Sequence, residues 1–300
     1  METVLRTYGI CKSYKNKSVL NDVDITINRG DIYGFVGKNG AGKTTLIRIL
    51  SGLSVATSGK FELFGISSDS RDIVKARKHI CSMVESPAIY PELTAEDNMR
   101  AQCLILKKPF SVIKENLEFV GLGDVGKKKA KNFSLGMRQR LAIAVALIGE
   151  PELMLLDEPI NGLDPEGIKQ VREMLLKLRN EKGITILISS HILSELSLLA
   201  TRYGFIDNGR ILKEATAEEV VEATSEKCYL DVNNIPKAIE RLKKLGYEPT
   251  EHEGKIKIPT DIDVMKVCAD FSKNGIYLNK HIHAAVDLEE YFMRLIGGRE

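Results

Sequence analysis

An eight-residue stretch, Gly37-Lys38-Asn39-Gly40-Ala41-Gly42-Lys43-Thr44, leaves this chain few folds to choose from. It fits the pattern GxxxxGK[ST], in which glycines let the backbone turn tightly and aim consecutive N–H groups into a space sized for polyphosphate. Lys43 supplies a point charge for the outer phosphates, and the Thr44 hydroxyl can ligate Mg²⁺. The flanks agree with the loop. Asp31-Ile-Tyr-Gly-Phe-Val36 reads as a buried strand entering it, and Thr45 to Leu50 as a helix leaving it, so a helix N-terminus with its partial positive charge faces the phosphates. A glycine-rich turn with a chance lysine would carry neither flank. By itself the loop leaves kinases, GTPases and transport ATPases open.

With 300 residues, 43% of them apolar, the chain can bury one large domain and a smaller one. The sequence reads as soluble and cytosolic: no apolar run approaches the roughly 20 residues of a spanning helix, and the first six residues lack the features of a signal peptide. Five scattered cysteines with no CxxC read as free thiols. A net charge of +2, from 43 basic and 41 acidic residues, does not make the positive field of a dedicated nucleic-acid binder, and none is expected as a partner. The densest basic run, Lys127 to Lys131, reads first as a solvated loop face, with a docking or phosphate-contact role as the alternative.

Val23 to Ile27 alternates at the period of a half-buried strand. Tyr14, upstream, reads as an ordinary strand aromatic, with an adenine platform as the sharper alternative. Between Cys81 and Gly149 the periodicity turns helical. Ser134 is placed to N-cap a helix through Leu141 to Ile148, and Gly136 would let a ligand approach the start of that helix. Leu153-Met-Leu-Leu156 then reads as a central strand delivering Asp157 and Glu158 to its C-terminal edge. In a nucleotide site Asp157 can hold the Mg²⁺ shell, and Glu158 can orient or deprotonate water beside the γ-phosphate.

Asp164-Pro165-Glu166 starts a helix closed by Gly183, so Asp164 reads first as an N-cap. Thr185 to Ser190 is the next buried strand with His191 at its end, and Arg202 to Leu212 reads as an edge hairpin about Asn208-Gly209. Beyond Lys213 strands and helices are predicted in the order βαββαβ, a ferredoxin-like pattern. Its strands are expected at Cys228–Val232, Tyr247–His252, Lys255–Ile258 and Ile276–Leu278, and a closing helix at Leu288–Ile296. His281 and His283 read as solvated rather than metal-bound.

Taken in order, GKNGAGKTT, FSLGMRQR, LMLLDEP, NGLDP and His191 resemble the nucleotide-binding subunit of an ATP-binding cassette (ABC) transporter over roughly the first 215 residues. The resemblance implies an α/β fold: a P-loop, RecA-like core sheet with an antiparallel β subdomain and a helical insertion at about 85–150. The ATP-binding domain would occupy residues 1–214 and an accessory α+β domain 215–300. It further implies that Tyr14 stacks on adenine, Glu158 is the catalytic carboxylate, Asp164 belongs to a loop crossing between subunits, and His191 senses the γ-phosphate. Gly37 to Thr45 would hold ATP with Ser134 and Gly136 of a second copy, in a head-to-tail dimer sandwiching two ATPs.

With no membrane span in the chain, the pore would be a separate permease that holds the subunit on the inner face of the membrane. Leu135 and Met137 depart from the usual signature residues. Glu85 stands where the family has glutamine, at a position that ligates Mg²⁺ or couples to the permease. These departures and the extra C-terminal unit resemble the bacterial branch that exports, or protects against, peptide antibiotics such as bacitracin and lantibiotics. The rival readings are a soluble cassette acting on nucleic acid or ribosomes, which usually has two cassettes or long coiled coils, and a regulatory clamp without turnover. Intact Lys43, Asp157, Glu158 and His191 oppose the latter.

Overall fold

Three apolar runs with no exposed position, Ile32–Val36, Leu153–Asp157 and Thr185–Ser190, lie side by side at the centre of the first unit. Strands covered on both faces need no polar alternation, which is why these read as continuous runs. The computed structural model describes residues 2–15, 17–84, 88–252, 254–284 and 286–298. It divides into two compact units, Met1–Ala217 with Leu295–Glu300, and Glu218–Arg294.

The first unit opens with β1 (Thr3–Tyr14), β2 (Lys17–Val23), β3 (Thr26–Asn28) and β4 (Ile32–Val36), followed by helix α1 (Lys43–Leu50). Next come β5 (Ser58–Leu63), β6 (Ile66–Ser67), α2 (Ile73–Ala76) and β7 (Ile80–Met83). Helices α3 (Ala95–Leu106), α4 (Val112–Phe119) and α5 (Leu135–Leu147) form the insertion before β8 (Leu153–Asp157). The chain continues through α6 (Pro165–Lys182), β9 (Thr185–Ser190), α7 (Leu193–Leu196), β10 (Arg202–Asp207), β11 (Arg210–Thr216) and α8 (Ala217–Thr224).

A six-stranded sheet runs β11-β10-β4-β9-β8-β7, parallel except for the edge pair β10–β11. A five-stranded antiparallel sheet, β2-β1-β5-β6 with β3 on β1, packs against one face of it. Tyr33, Phe35, Leu153, Leu155 and Leu187 meet Leu5, Ile10, Ile27 and Leu63 there in one buried cluster. Strand β9, the last of the three central strands in sequence, lies between the other two.

Val23 to Ile27 is not one strand: β2 ends at Val23 and β3 begins at Thr26. The buried Thr7 hydroxyl donates to Val23 O at 2.9 Å and accepts from Ile25 N at 2.8 Å, taking the place of ladder bonds. Strand β11 runs to Thr216, paired with Arg202, so position 214 falls inside a strand.

The second unit contains all of α8 but Ala217, then β12 (Lys227–Val232), α9 (Ile235–Lys244), β13 (Thr250–His252), β14 (Lys255–Ile258), α10 (Val264–Lys273), β15 (Leu278–Ala284) and most of α11 (Leu288–Ile296). Its sheet order, β13-β14-β12-β15 with every pair antiparallel, is the ferredoxin-like arrangement. Cys228, Leu230, Ile256 and Ile258 bury against Ala238, Leu242, Val267 and Phe271 of α9 and α10.

Two of its strands start later than the apolar pattern predicts, for the same reason. Tyr247 N donates to Leu242 O and Ile276 N to Phe271 O, so each apolar residue closes the preceding helix instead of entering a ladder.

Candidate nucleotide site

The phosphate loop leaves β4 at Gly37. A Cβ at Gly37 would lie 2.6 Å from Ile206 O, so only glycine lets the loop run this close to β10. The turn of the β10–β11 hairpin supports the loop from below. Gly209 N donates to Ala41 O at 3.0 Å while Asn21 N donates to Gly209 O at 2.8 Å. That turn also requires glycine, with φ at 76° and Val19 O 2.3 Å from where a Cβ would sit.

Above the loop opens a cleft of about 560 Å³, lined by Lys38, Asn39, Gly40 and Gly42 to Thr45, by Glu158, and by Lys17, Ser18, Val19 and Asn208. Lys43 is 5% exposed, and its Nζ donates to Gly37 O at 2.6 Å and Lys38 O at 3.3 Å. Glu158 Oε1 lies 3.4 Å from the same ammonium. The other oxygen, Oε2, is 2.7 Å from His191 Nδ1. An ionised carboxylate can only accept, so in this contact the His191 proton sits on Nδ1. Glu158 itself has φ 49°, a left-handed conformation that costs a non-glycine residue about 1–2 kcal/mol.

Beside it the Thr44 hydroxyl donates to Asp157 Oδ2 at 2.7 Å, and Ser189 Oγ donates to Asp157 Oδ1 at 2.6 Å. Among the described residues no group of three or more His, Cys, Asp or Glu could hold a metal by itself. The Thr44–Asp157 pair offers two hard oxygens at a phosphate-binding loop, a donor set that fits Mg²⁺, which takes one or two carboxylates and completes its shell with water and phosphate oxygen.

The comparisons with known proteins agree with this geometry. The ABC transporter family profile matches residues 20–161. The bacitracin transport ATP-binding protein BcrA of Bacillus licheniformis is 39% identical, covering 99% of each chain. This chain belongs to the ATP-binding subunits of ABC transporters. It is an ABC-type ATPase and binds ATP. The lantibiotic transport ATP-binding protein SrtF of Streptococcus pyogenes is 45% identical to the ABC subunit, over 70% of this chain and 90% of its own. Among solved structures, cbiO1 of Clostridium perfringens, part of the cbiONQ transporter complex, superposes with a TM-score of 0.68 at 26% identity. It covers 82% of this chain and 98% of that one.

Within the ABC subunit hydrogen bonds and an ion pair join Lys43 and Thr44 of the loop to Asp157, Glu158 and His191, whereas Ser134, Gly136 and Asp164 have no such contact with the loop and do not line the cleft. Ser134 N-caps α5 by accepting from Met137 N at 3.2 Å, and Asp164 N-caps α6 by accepting from Gly167 N at 3.1 Å. Gly136 is buried, and a Cβ there would meet Gly167 Cα and Leu163 only at ordinary contact distances. Tyr14 is 46% exposed at the end of β1, under the Lys12 ammonium at 4.8 Å, and pairs across the hairpin with the cleft residue Lys17. Glu85 lies outside the described residues. No described helix is long and apolar enough to cross a membrane.

Sequence reading missed Ser189 and the support from Asn208-Gly209. The signal for the first was a pair of serines closing a strand with an apolar middle; for the second there was none, because nothing local ties that hairpin to the loop.

Proposed function

We propose that this ABC subunit is a Mg²⁺-dependent ATPase that pairs head to tail with a second copy. It drives a separate membrane permease that exports, or protects the cell against, a peptide antibiotic of the bacitracin or lantibiotic kind. The observation that carries the catalytic part is the continuous contact from Lys43 through Glu158 to His191 at the mouth of the phosphate loop.

Lys43 holds a positive charge where the outer phosphates of ATP would lie. Glu158 takes the proton of the attacking water, and His191, donating to Oε2, keeps the other carboxylate oxygen turned toward that water. Thr44 and Asp157 would hold Mg²⁺, which neutralises charge on the phosphate oxygens. Tyr14 would carry the adenine. Ser134 and Gly136, at the N-terminus of α5 but outside the cleft, would reach the γ-phosphate of the second copy, with Asp164 on the loop between subunits. Glu85 is assigned to metal ligation or permease coupling by resemblance. The permease would keep the subunit in the cytoplasm against the membrane.

The antibiotic cargo is supported by the names of the relatives, one of them matching through the C-terminal unit as well. Glu158→Gln should retain ATP but hydrolyse it about 10²–10⁴-fold more slowly, accumulating an ATP-bound dimer on gel filtration. Hydrolysis at the wild-type rate would overturn the assignment. Cells lacking the subunit should become more sensitive to a bacitracin-class or lantibiotic peptide; unchanged sensitivity and unchanged export would overturn the cargo reading.

A further inference from the structure

Ser189 is fully buried in β9, in register with Asp157 of β8. Its hydroxyl has one proton. Asp157 Oδ1, at 2.6 Å, can only accept it, so the Ser189 lone pairs face the other neighbour, Glu158 N, which donates to Ser189 Oγ at 3.0 Å and to Ser189 O at 3.2 Å. One side chain thus sets the plane of the Asp157 carboxylate, leaving Oδ2 for Thr44, and anchors the backbone on which Glu158 sits in its left-handed conformation.

We infer that Ser189 is a positioning residue for ATP hydrolysis: it aims Asp157 at the metal position and Glu158 at the attacking water without touching the nucleotide. The inference rests on the roles proposed above for those two carboxylates. A buried hydroxyl satisfied only for the sake of folding would look different in function, and Thr7 provides that comparison. It is equally buried, makes its two hydrogen bonds to the backbone of Val23 and Ile25 where the chain passes from β2 to β3, and is not among the residues lining the cleft.

The test compares Ser189→Ala, Ser189→Cys and Thr7→Val for ATP binding without Mg²⁺, for the Mg²⁺ concentration giving half-maximal hydrolysis, for kcat and for Tm. Ser189→Ala should raise the Mg²⁺ requirement and lower kcat, each by about tenfold, the loss expected for one charge-assisted hydrogen bond. ATP binding without Mg²⁺ should stay within about twofold, because the Lys43 contacts remain. Ser189→Cys, which retains a weaker donor, should fall between Ala and wild type, and it is read alone if the alanine variant does not fold. Thr7→Val should lower Tm and leave the Mg²⁺ requirement unchanged.

A wild-type Mg²⁺ profile and kcat in both Ser189 variants, or losses that only track Tm as in Thr7→Val, would overturn the proposal. Lys43→Ala run alongside separates the two readings. If it keeps full ATP affinity, the nucleotide site itself is misassigned; if it loses ATP while the Ser189 variants behave as wild type, only the role of Ser189 fails.

Discussion

Lys43 is the side chain on which the site depends most directly, since a cation 5% exposed is held by two loop carbonyls and a carboxylate. A buried charge kept in place this way is ready to meet phosphate oxygen with little side-chain ordering left to do. Lys43→Ala should therefore abolish ATP binding in a titration with a fluorescent analogue while the protein stays folded; unchanged affinity would show that the phosphates bind elsewhere. Lys43 was legible from the phosphate-loop pattern, and Glu158 and His191 because each stands just past a buried strand. Their mutual contacts were not legible, since residues 115 and 33 positions apart meet only through the order of strands in the sheet.

At the scale of elements, caps and inter-helix pairs decide what a residue does. Asp164 accepts from Gly167 N at the start of α6, whose buried face is Val171, Met174, Leu175 and Leu178. Asp164→Ala should lower the stability of the first unit by about 1 kcal/mol, whereas Asp164→Asn, which can still accept, should not. If both variants keep wild-type Tm, the cap contributes nothing; if both fold normally but lose ATP-driven dimerisation, the subunit-crossing role gains support.

In the second unit Arg241 donates to both oxygens of Asp270, joining α9 to α10. That hydrogen bonding holds the Asp270 carboxyl below its ordinary value. A lowered folded-state value means stabilisation that is present above the ordinary aspartate range near 3.9 and is lost as pH falls through the lowered value. Urea unfolding of Asp270→Asn should show a lower midpoint than wild type at pH 7 and convergence with it in strong acid; a constant gap down to pH 2 would assign the loss to packing instead.

Both carboxylates, the phosphate loop and every strand of the two larger sheets lie upstream of position 217. A chain ending at Ala217 should fold and bind ATP, as measured by thermal melting with and without nucleotide, because it keeps the pairing of Thr216 with Arg202 that a cut after 214 would remove. An insoluble product would mean that the core needs residues beyond 217.

Local signals in the sequence determined the phosphate loop, the capped helices, the buried central strands, the carboxylates at a strand end and the βαββαβ order of the C-terminal unit. Each depends on residues within a few positions of one another: glycines in a loop, an acid before a proline, apolar runs of strand length. Tertiary structure alone decided that β9 slides between β4 and β8, placing Ser189 against Asp157 and His191 against Glu158, and that the Asn208-Gly209 turn props the loop. Strand order in a parallel sheet is set by which apolar faces pack best once the crossover helices are in place, an outcome of the whole core that no short stretch encodes.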